Sequence, residues 1–119
     1  MDRIGIIGGS GVYDLAGLTD TRWVAVDTPW GAPSDEVFLG TLGDAPLAFL
    51  PRHGRGHRIP PSQVNYRANI AALKSLGVER VLAASAVGSL RAEIHPREAV
   101  AVDQFIDRTH RLSSFFGEG

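Results

Sequence analysis

Residues 4–11 read Ile4-Gly5-Ile6-Ile7-Gly8-Gly9-Ser10-Gly11, an apolar run that leads directly into a glycine-rich segment. A short run without polar residues is typical of a strand that is buried on both faces of a sheet. Glycines directly after such a strand let the backbone approach a ligand closely. The stretch therefore predicts a buried first strand whose following loop holds a phosphate, with a tight turn as the alternative.

Three familiar glycine motifs do not fit this loop. A Walker A loop ends in Gly-Lys-Ser/Thr, and no lysine follows Gly11. A dinucleotide-binding loop needs a third glycine, where this chain has Asp14. A Gly-x-Ser-x-Gly nucleophile elbow is excluded because Val12 stands in place of its second glycine. What remains is a set of backbone N–H groups with the Ser10 hydroxyl, which suits a small anion.

The bulk composition narrows the class of protein. A chain of 119 residues with 44% hydrophobic residues suits one compact domain or part of a larger one. The absence of cysteine excludes disulfides, thiolate nucleophiles and most zinc sites. A net charge of −1 with scattered charges indicates no nucleic-acid partner. No signal peptide or long apolar run is present, so we expect a cytoplasmic protein without a membrane partner.

The hydrophobic pattern predicts an α/β fold. One helix is expected to begin at Ser62, after two prolines, and to end at Gly77. It lies between two apolar strands, which favours a β-α-β unit and a sheet with at least one parallel crossover. The predicted strands span residues 4–7, 23–26, 37–42, 47–50, 81–87 and 100–106.

A second candidate site is the cationic loop (residues 52–58), which reads Arg-His-Gly-Arg-Gly-His-Arg. Three arginines and two histidines so close together repel one another unless they are solvated or share an anion. The loop follows a predicted buried strand, and ligand sites of α/β sheets lie at the carboxyl ends of strands. An anion site is therefore one interpretation and a solvated surface loop the other. Because arginines flank the histidines, no metal site is predicted.

A third candidate is the end of the strand predicted over residues 81–87, where Ala84, Ser85 and Ala86 are all small. Small side chains there give a ligand access to the backbone, although tight packing under a helix explains them equally well. The aspartates Asp14, Asp27, Asp35 and Asp103 are interpreted as caps, turn residues or surface residues. Taken together, the three candidate segments would form one anion pocket of backbone N–H groups, two hydroxyls, an arginine and a histidine.

Six segments of the chain occur in an ordered and spaced set that covers nearly its whole length. They are Gly8-Gly9-Ser10-Gly11, Thr28-Pro29-Trp30-Gly31-Ala32-Pro33-Ser34, Arg52-His53-Gly54 with His57, Val64-Asn65-Tyr66-Arg67-Ala68-Asn69, Val87-Gly88-Ser89-Leu90-Arg91 and Asp103-Gln104-Phe105-Ile106-Asp107-Arg108-Thr109. Each segment alone is a weak indication, but the ordered set resembles the trimeric purine nucleoside phosphorylase family, which includes the 5′-methylthioadenosine phosphorylases.

The resemblance implies a fold and a reaction. The fold is a mixed central sheet flanked by helices, of which residues 1–119 would form the N-terminal part of a single domain. The reaction is phosphorolysis of 5′-methylthioadenosine, or of a related purine nucleoside such as inosine or 5′-methylthioinosine, to the free base and a sugar 1-phosphate. Inorganic phosphate is then a co-substrate, no cofactor is needed, and the full-length enzyme is a homotrimer.

The resemblance also assigns site residues. His57 is expected to support its loop, and the segments at residues 28–34 and 103–109 receive no catalytic role. The phosphate would be held by Ser10, Arg52, His53, Ser85 and the Ala86 backbone, and the nucleoside would lie against Val87 and Gly88.

Two departures from the family pattern bear on the activity. Val87 stands where methylthioadenosine-specific members often have cysteine. Valine at this position is more similar to members that act on 6-oxopurines. The chain also corresponds to about the N-terminal half of a family member, so the residue that protonates the purine is expected in the absent half. Two alternatives remain: a nucleoside hydrolase-like relative that uses water, and a non-catalytic Rossmann-like module that binds phosphate or nucleotide.

Overall fold

A computed structural model describes residues 2–9, 11 and 13–116. The chain divides into two units, Met1–Ser85 and Ala86–Gly119. All regular secondary structure of the described residues lies in the first unit. Its elements are β1 (Arg3–Gly8), β2 (Leu18–Val24), β3 (Val37–Leu42), β4 (Ala45–Pro51), a 3-10 turn (Pro61–Gln63), α1 (Tyr66–Ser75) and β5 (Val78–Ala83).

The five strands form one mixed sheet in the order β2-β3-β4-β1-β5. β1 lies between β4 and β5 and is parallel to both, whereas β3 is antiparallel to β2 and β4. The connection from β4 through α1 to β5 joins two strands of the same direction. The predicted α/β fold with a parallel crossover is therefore confirmed.

The central position of β1 follows from its composition. A Cβ on Gly5 would lie 2.8 Å from the side chain of Val78 and 3.3 Å from that of Leu73. Glycine therefore lets α1 and β5 pack closely on this strand. Its isoleucines are only partly buried, contrary to the prediction of full burial. The reason is that the one α-helix of the described residues covers only one face of the sheet.

The two faces of the sheet are packed differently. Under α1, a core of buried aliphatic side chains includes Leu39 and Leu50 of the sheet and Leu73 of the helix. On the other face the aromatic rings of Trp23 and Phe38 lie 4.8 Å apart, and those of Phe38 and Phe49 lie 6.4 Å apart. These pairs face each other across neighbouring strands, which stabilises the order β2-β3-β4.

The helix begins later than predicted. Ser62 lies in the separate 3-10 turn, and the extended backbone of Val64 interrupts the helical path. The N-cap is Asn65, whose Oδ1 accepts a hydrogen bond from the Ala68 N–H at 3.1 Å. The predicted end is confirmed: α1 stops at Ser75, and Gly77 follows in the left-handed conformation with φ of 79°.

Three predicted strands differ from the structure. β2 begins at Leu18 and ends at Val24, earlier at both ends than the prediction of 23–26. β5 spans Val78–Ala83 instead of 81–87, because its pairing partner β1 ends at Gly8. Residues 100–106 are wrongly predicted, since they form no strand and the apolar side chains of Val102 and Ile106 are exposed. Apolar composition alone makes no strand without a neighbour to pair with.

No helix among the described residues is long and apolar enough to cross a membrane.

Candidate functional site

The three parallel strands bring their carboxyl ends to one edge of the sheet. In the register, Gly8 of β1 lies beside Pro51 of β4, and Ile7 lies beside Ala83 of β5. Each ladder continues by one hydrogen bond: Arg52 N–H donates to Gly8 O, and Ala84 N–H donates to Ile7 O, both at 2.9 Å. The three candidate segments therefore begin side by side at this edge, as expected for a ligand site of an α/β sheet.

Arg52 connects two of these segments. Its Nη1 donates to Ser85 Oγ at 3.0 Å and to Ala84 O at 3.2 Å. The guanidinium makes no ion pair with a carboxylate of the described residues, and its Nη2 makes no hydrogen bond to them. A half-buried cation with free N–H donors at the end of a parallel sheet is suited to bind an anion in a bidentate manner.

His53 supports this arginine in a defined tautomer. Its Nδ1 lies 2.9 Å from Ile59 O, and because a carbonyl can only accept, Nδ1 carries the proton. Nε2 is then the acceptor for Arg52 Nε–H at 3.3 Å. The imidazole is neutral in this arrangement. The centroid of its ring lies 4.4 Å from the centroid of the His57 ring, so the two imidazoles of the loop pack against each other.

The cationic loop folds back on itself. Gly54 N–H donates to Pro51 O at 3.0 Å, and Ile59 N–H donates to His53 O at 3.0 Å. Gly54 has φ of 73°, and a Cβ there would lie 3.1 Å from Ser34 O. Position 54 thus requires glycine for both its backbone conformation and its closeness to residue 34. His57, with φ of 53°, takes part in the same tight loop, and its supporting role stays a prediction.

The other two arginines of the loop bind Asp35. Arg55 donates from Nε to Asp35 Oδ2 at 3.0 Å and from Nη2 to Oδ1 at 2.9 Å, and its backbone N–H donates to Oδ2 at 2.7 Å. Arg58 Nη2 lies 3.3 Å from Oδ1. Arg55 also stacks over the Trp23 ring, 3.8 Å from its centroid. Asp35 therefore pairs with two of the three arginines of the loop. Arg52 is the third, and it has no carboxylate partner among the described residues.

Asp35 corrects the interpretation of the aspartates as caps, turns or surface residues. Its side chain is only 2% exposed. Burial by itself raises the pKa of this carboxyl, but the hydrogen bonds from Arg55 and from the Glu36 N–H outweigh it and hold the pKa far below its usual range. The sequence feature that could have indicated this role is the position of Asp35 beside a predicted buried strand, in a chain that also has an arginine cluster.

A buried asparagine of α1 holds the neighbouring residue. Asn69 Oδ1 accepts from Ser34 N–H at 2.8 Å, and its Nδ2 donates to Ser34 Oγ at 3.0 Å. The helix cap Asn65 also donates from Nδ2 to Trp30 O at 2.8 Å. The segment at residues 28–34 is therefore bound to α1, which explains structurally why these two segments occur together.

The remaining predicted site residues are placed as follows. Ser10 lies outside the described residues. Ala86, Val87 and Gly88 belong to the second unit, where they are exposed and lie in neither helix nor strand. The structure thus brings together Arg52, His53 and Ser85. Their binding of phosphate, and the nucleoside contacts of Val87 and Gly88, stay predictions. Within the described part of the chain, no three histidine, aspartate or glutamate side chains are grouped as metal ligands.

Comparison with known proteins places this chain in a family. The profile described as "Phosphorylase superfamily" matches residues 3–119. The chain belongs to this superfamily. The predicted family resemblance is confirmed, and so is the nucleoside phosphorylase type of mixed sheet.

Curated relatives of this phosphorylase-superfamily chain are named S-methyl-5′-thioadenosine phosphorylase. The protein of Geobacter sulfurreducens is 58% identical over 118 residues, which are 98% of this chain and 41% of the relative. The protein of Hyperthermus butylicus is 57% identical over 117 residues, which cover 98% of this chain and 43% of the relative. The chain thus spans about two-fifths of the length of these relatives.

Solved structures agree in fold. Adenosine/methylthioadenosine phosphorylase from Schistosoma mansoni, as an apo double mutant, aligns with a TM-score of 0.72 and 48% identity, covering 81% of this chain and 34% of that one. A methylthioadenosine phosphorylase from an antarctic soil metagenomic library aligns with a TM-score of 0.65 and 55% identity, covering 67% and 28%. The interpretation of residues 1–119 as part of a single domain stays a prediction.

Proposed function

We propose that this chain forms the phosphate-binding part of a purine nucleoside phosphorylase that acts on 5′-methylthioadenosine or a related purine nucleoside. The observation that carries the proposal is Arg52, which is held by Ser85 and His53 and has no carboxylate partner among the described residues. The names of relatives at 57–58% identity support the reaction class.

In the proposed reaction, an oxygen of inorganic phosphate forms a bond to C1′ of the sugar while the glycosidic C–N bond breaks. The bonding electrons leave with the purine, which takes up a proton, and the products are the free base and a sugar 1-phosphate. Positive charge develops on the sugar in the transition state, so an anion held beside C1′ stabilises it. Holding phosphate in place also removes much of the entropy cost of bringing two reactants together.

Each proposed residue has a separate part in this reaction. Arg52 binds phosphate by charge-assisted hydrogen bonds, and the Ser10 and Ser85 hydroxyls and the Ala86 N–H donate to its oxygens. Val87 and Gly88 contact the ribose and base.

His53 is proposed to contact phosphate from a constrained position. In the present tautomer its Nε2 has no proton and can only accept. A direct contact therefore requires a proton on the phosphate oxygen or a second proton on the imidazole. In the geometry as it stands, His53 orients Arg52.

The residue that protonates the purine is proposed to lie outside these 119 residues. No cofactor is proposed, since phosphate itself is the nucleophile. Homotrimeric assembly and a cytoplasmic location are carried over from the resemblance and composition as parts of the same proposal.

A chimeric enzyme tests the proposal. This chain would replace the matching 118 residues of the Geobacter sulfurreducens relative, and release of adenine from 5′-methylthioadenosine would be measured with and without phosphate. We expect phosphate-dependent release, and Arg52→Ala should raise the KM for phosphate by about a hundredfold through loss of a charged hydrogen-bond pair. A matched control is Arg22→Ala, which removes an exposed arginine from β2.

Three results would contradict the proposal. Base release without phosphate, giving free sugar, would favour the hydrolase alternative. Thermal stabilisation of the chain by NAD or ATP but not by inorganic phosphate would favour the Rossmann-like module. Turnover by the 119-residue chain alone would refute the placement of the purine-protonating residue elsewhere.

A further inference from the structure

We propose that Asp35 is a positioning residue for phosphate, and that it acts on Arg52 and His53 through Arg55. The inference rests on the proposed function, since it concerns the same anion site. Asp35 belongs to none of the segments assigned to phosphate or nucleoside binding, and it makes no hydrogen bond or ion pair with Arg52 itself.

The contacts of Asp35 are directed at the middle of the cationic loop. Its Oδ2 accepts from both the backbone N–H and the Nε of Arg55, and its Oδ1 accepts from Nη2 of the same residue. One carboxylate thus binds the main chain and the side chain of one loop residue together. Since Arg55 is three residues from Arg52, fixing its backbone restricts the path of the segment between them.

The loop depends on such external contacts because its backbone is unusual. Gly54, Gly56 and His57 all have positive φ, at 73°, 77° and 53°. Glycine adopts this conformation without strain, but at His57 it persists because surrounding structure holds it. The hydrogen bonds between His53 and Ile59 close the loop at its ends, and Asp35 holds its centre.

Asp35 is itself held from the helix side. The neighbouring Ser34 is bound through its N–H and hydroxyl by the buried Asn69 of α1. Ser34 O also accepts from Arg58 Nη2 at 3.4 Å. A continuous set of hydrogen bonds therefore leads from α1 through residues 34 and 35 to the cationic loop. Such contiguous polar networks transmit the position of one element to another.

Whether the substitution Asp35→Asn weakens or tightens phosphate binding distinguishes a positioning role from a simple effect of charge. Asp35 pairs with both Arg55 and Arg58, so its replacement by asparagine takes this carboxylate from Arg58 and leaves Arg55 with Glu36 alone, 3.7 Å away. The net charge changes from −1 to zero. Electrostatics alone would then make phosphate bind more tightly. If Asp35 positions Arg52 and His53, phosphate binds more weakly in spite of the added positive charge.

The experiment is calorimetric titration of the 119-residue chain with inorganic phosphate at constant ionic strength. It compares the wild type with Asp35→Asn and with the control Asp44→Asn, which removes the same charge from the exposed turn between β3 and β4. We expect Asp35→Asn to weaken phosphate binding about tenfold, within the range of measured couplings through such networks. Asp44→Asn should leave the affinity unchanged.

Circular dichroism would establish that each variant is folded at the temperature of titration. If Asp35→Asn does not fold, Arg55→Lys replaces it, because lysine keeps the charge and the backbone N–H but loses the paired side-chain hydrogen bonds. That variant should also weaken phosphate binding. If Asp35→Asn folds, the double variant Asp35→Asn with Arg55→Lys should bind phosphate no more weakly than whichever single variant binds it more weakly. The reason is that both substitutions break the same contact.

The outcomes distinguish this inference from the function on which it rests. A wild-type chain that binds no phosphate overturns the proposed function and this inference with it. If the wild type binds phosphate and folded Asp35→Asn binds it equally well or more tightly, the positioning role alone is overturned.

Discussion

The contacts of Asp35 predict a particular stability cost for the substitution Asp35→Asn. Both carboxylate oxygens accept from at least two donors: Arg55 N–H and Nε on Oδ2, and Arg55 Nη2 and Glu36 N–H on Oδ1. An asparagine amide has one oxygen, so whichever way it is turned its NH₂ group faces two N–H donors. The substitution therefore removes two hydrogen bonds and sets donors against each other.

The magnitude follows from the burial of the partners. Removing one member of a buried ion pair costs about 3–5 kcal/mol. Water screens part of this interaction, because the side chains of Arg55 and Arg58 are 38% and 56% exposed. We therefore expect Asp35→Asn to lower the free energy of unfolding by about 2 kcal/mol at pH 7, a large share of the stability of a small domain.

The dependence on pH gives a second readout. The pKa of Asp35 is lower in the folded chain than its ordinary value of 3.8, so its stabilisation is fully present above that value and is lost as the pH falls below it. Urea denaturation from pH 7 to pH 2.5 should show the wild type approaching Asp35→Asn in stability below about pH 3.8. Asp44→Asn should follow the wild type at every pH. A constant difference between wild type and Asp35→Asn down to pH 2.5 would refute this account.

Two further pairs of substitutions test the loop and the helix, all by urea denaturation. Gly54→Ala should destabilise by about 2 kcal/mol, from the strained positive φ and the contact with Ser34 O. Gly56→Ala, with a similar φ but open space around its Cβ, should cost about half of that, and equal costs would contradict the role of the Ser34 contact. Asn65→Ala should cost about 1–2 kcal/mol, because it removes both the N-cap of α1 and the hydrogen bond from Asn65 Nδ2 to Trp30 O. Ser62→Ala should cost almost nothing, and the reverse order would contradict the assignment of Asn65 as the N-cap.

The apolar runs of β1, β3 and β4 carried enough information to place these strands to within two residues. Each is short, mostly apolar and bounded by glycine, proline or polar residues, so local sequence and final pairing agree. The segment at residues 100–106 has the same composition but no strand to pair with in its own unit. Pairing is a tertiary property, and for this reason composition predicted a strand there wrongly.

The candidate anion site also has features that the sequence predicted and features that only the tertiary structure revealed. The glycine-rich segment after β1, the cationic loop after β4 and Ser85 after β5 were recognisable because ligand sites follow parallel strands. Only the tertiary structure sorted the three arginines, by bringing Asp35 from before β3 to Arg55 and Arg58 and leaving Arg52 beside Ser85.

The sequence by itself determined the chemical character of this protein. It has apolar strands followed by segments with glycines, arginines and a serine hydroxyl, and these segments occur in the order found in nucleoside phosphorylases. The tertiary structure decided which arginine of the cationic loop is left without a carboxylate partner among the described residues. That choice depends on a contact between residues 20 positions apart, and the spacing of residues along the chain does not reveal which arginine a buried carboxylate will reach.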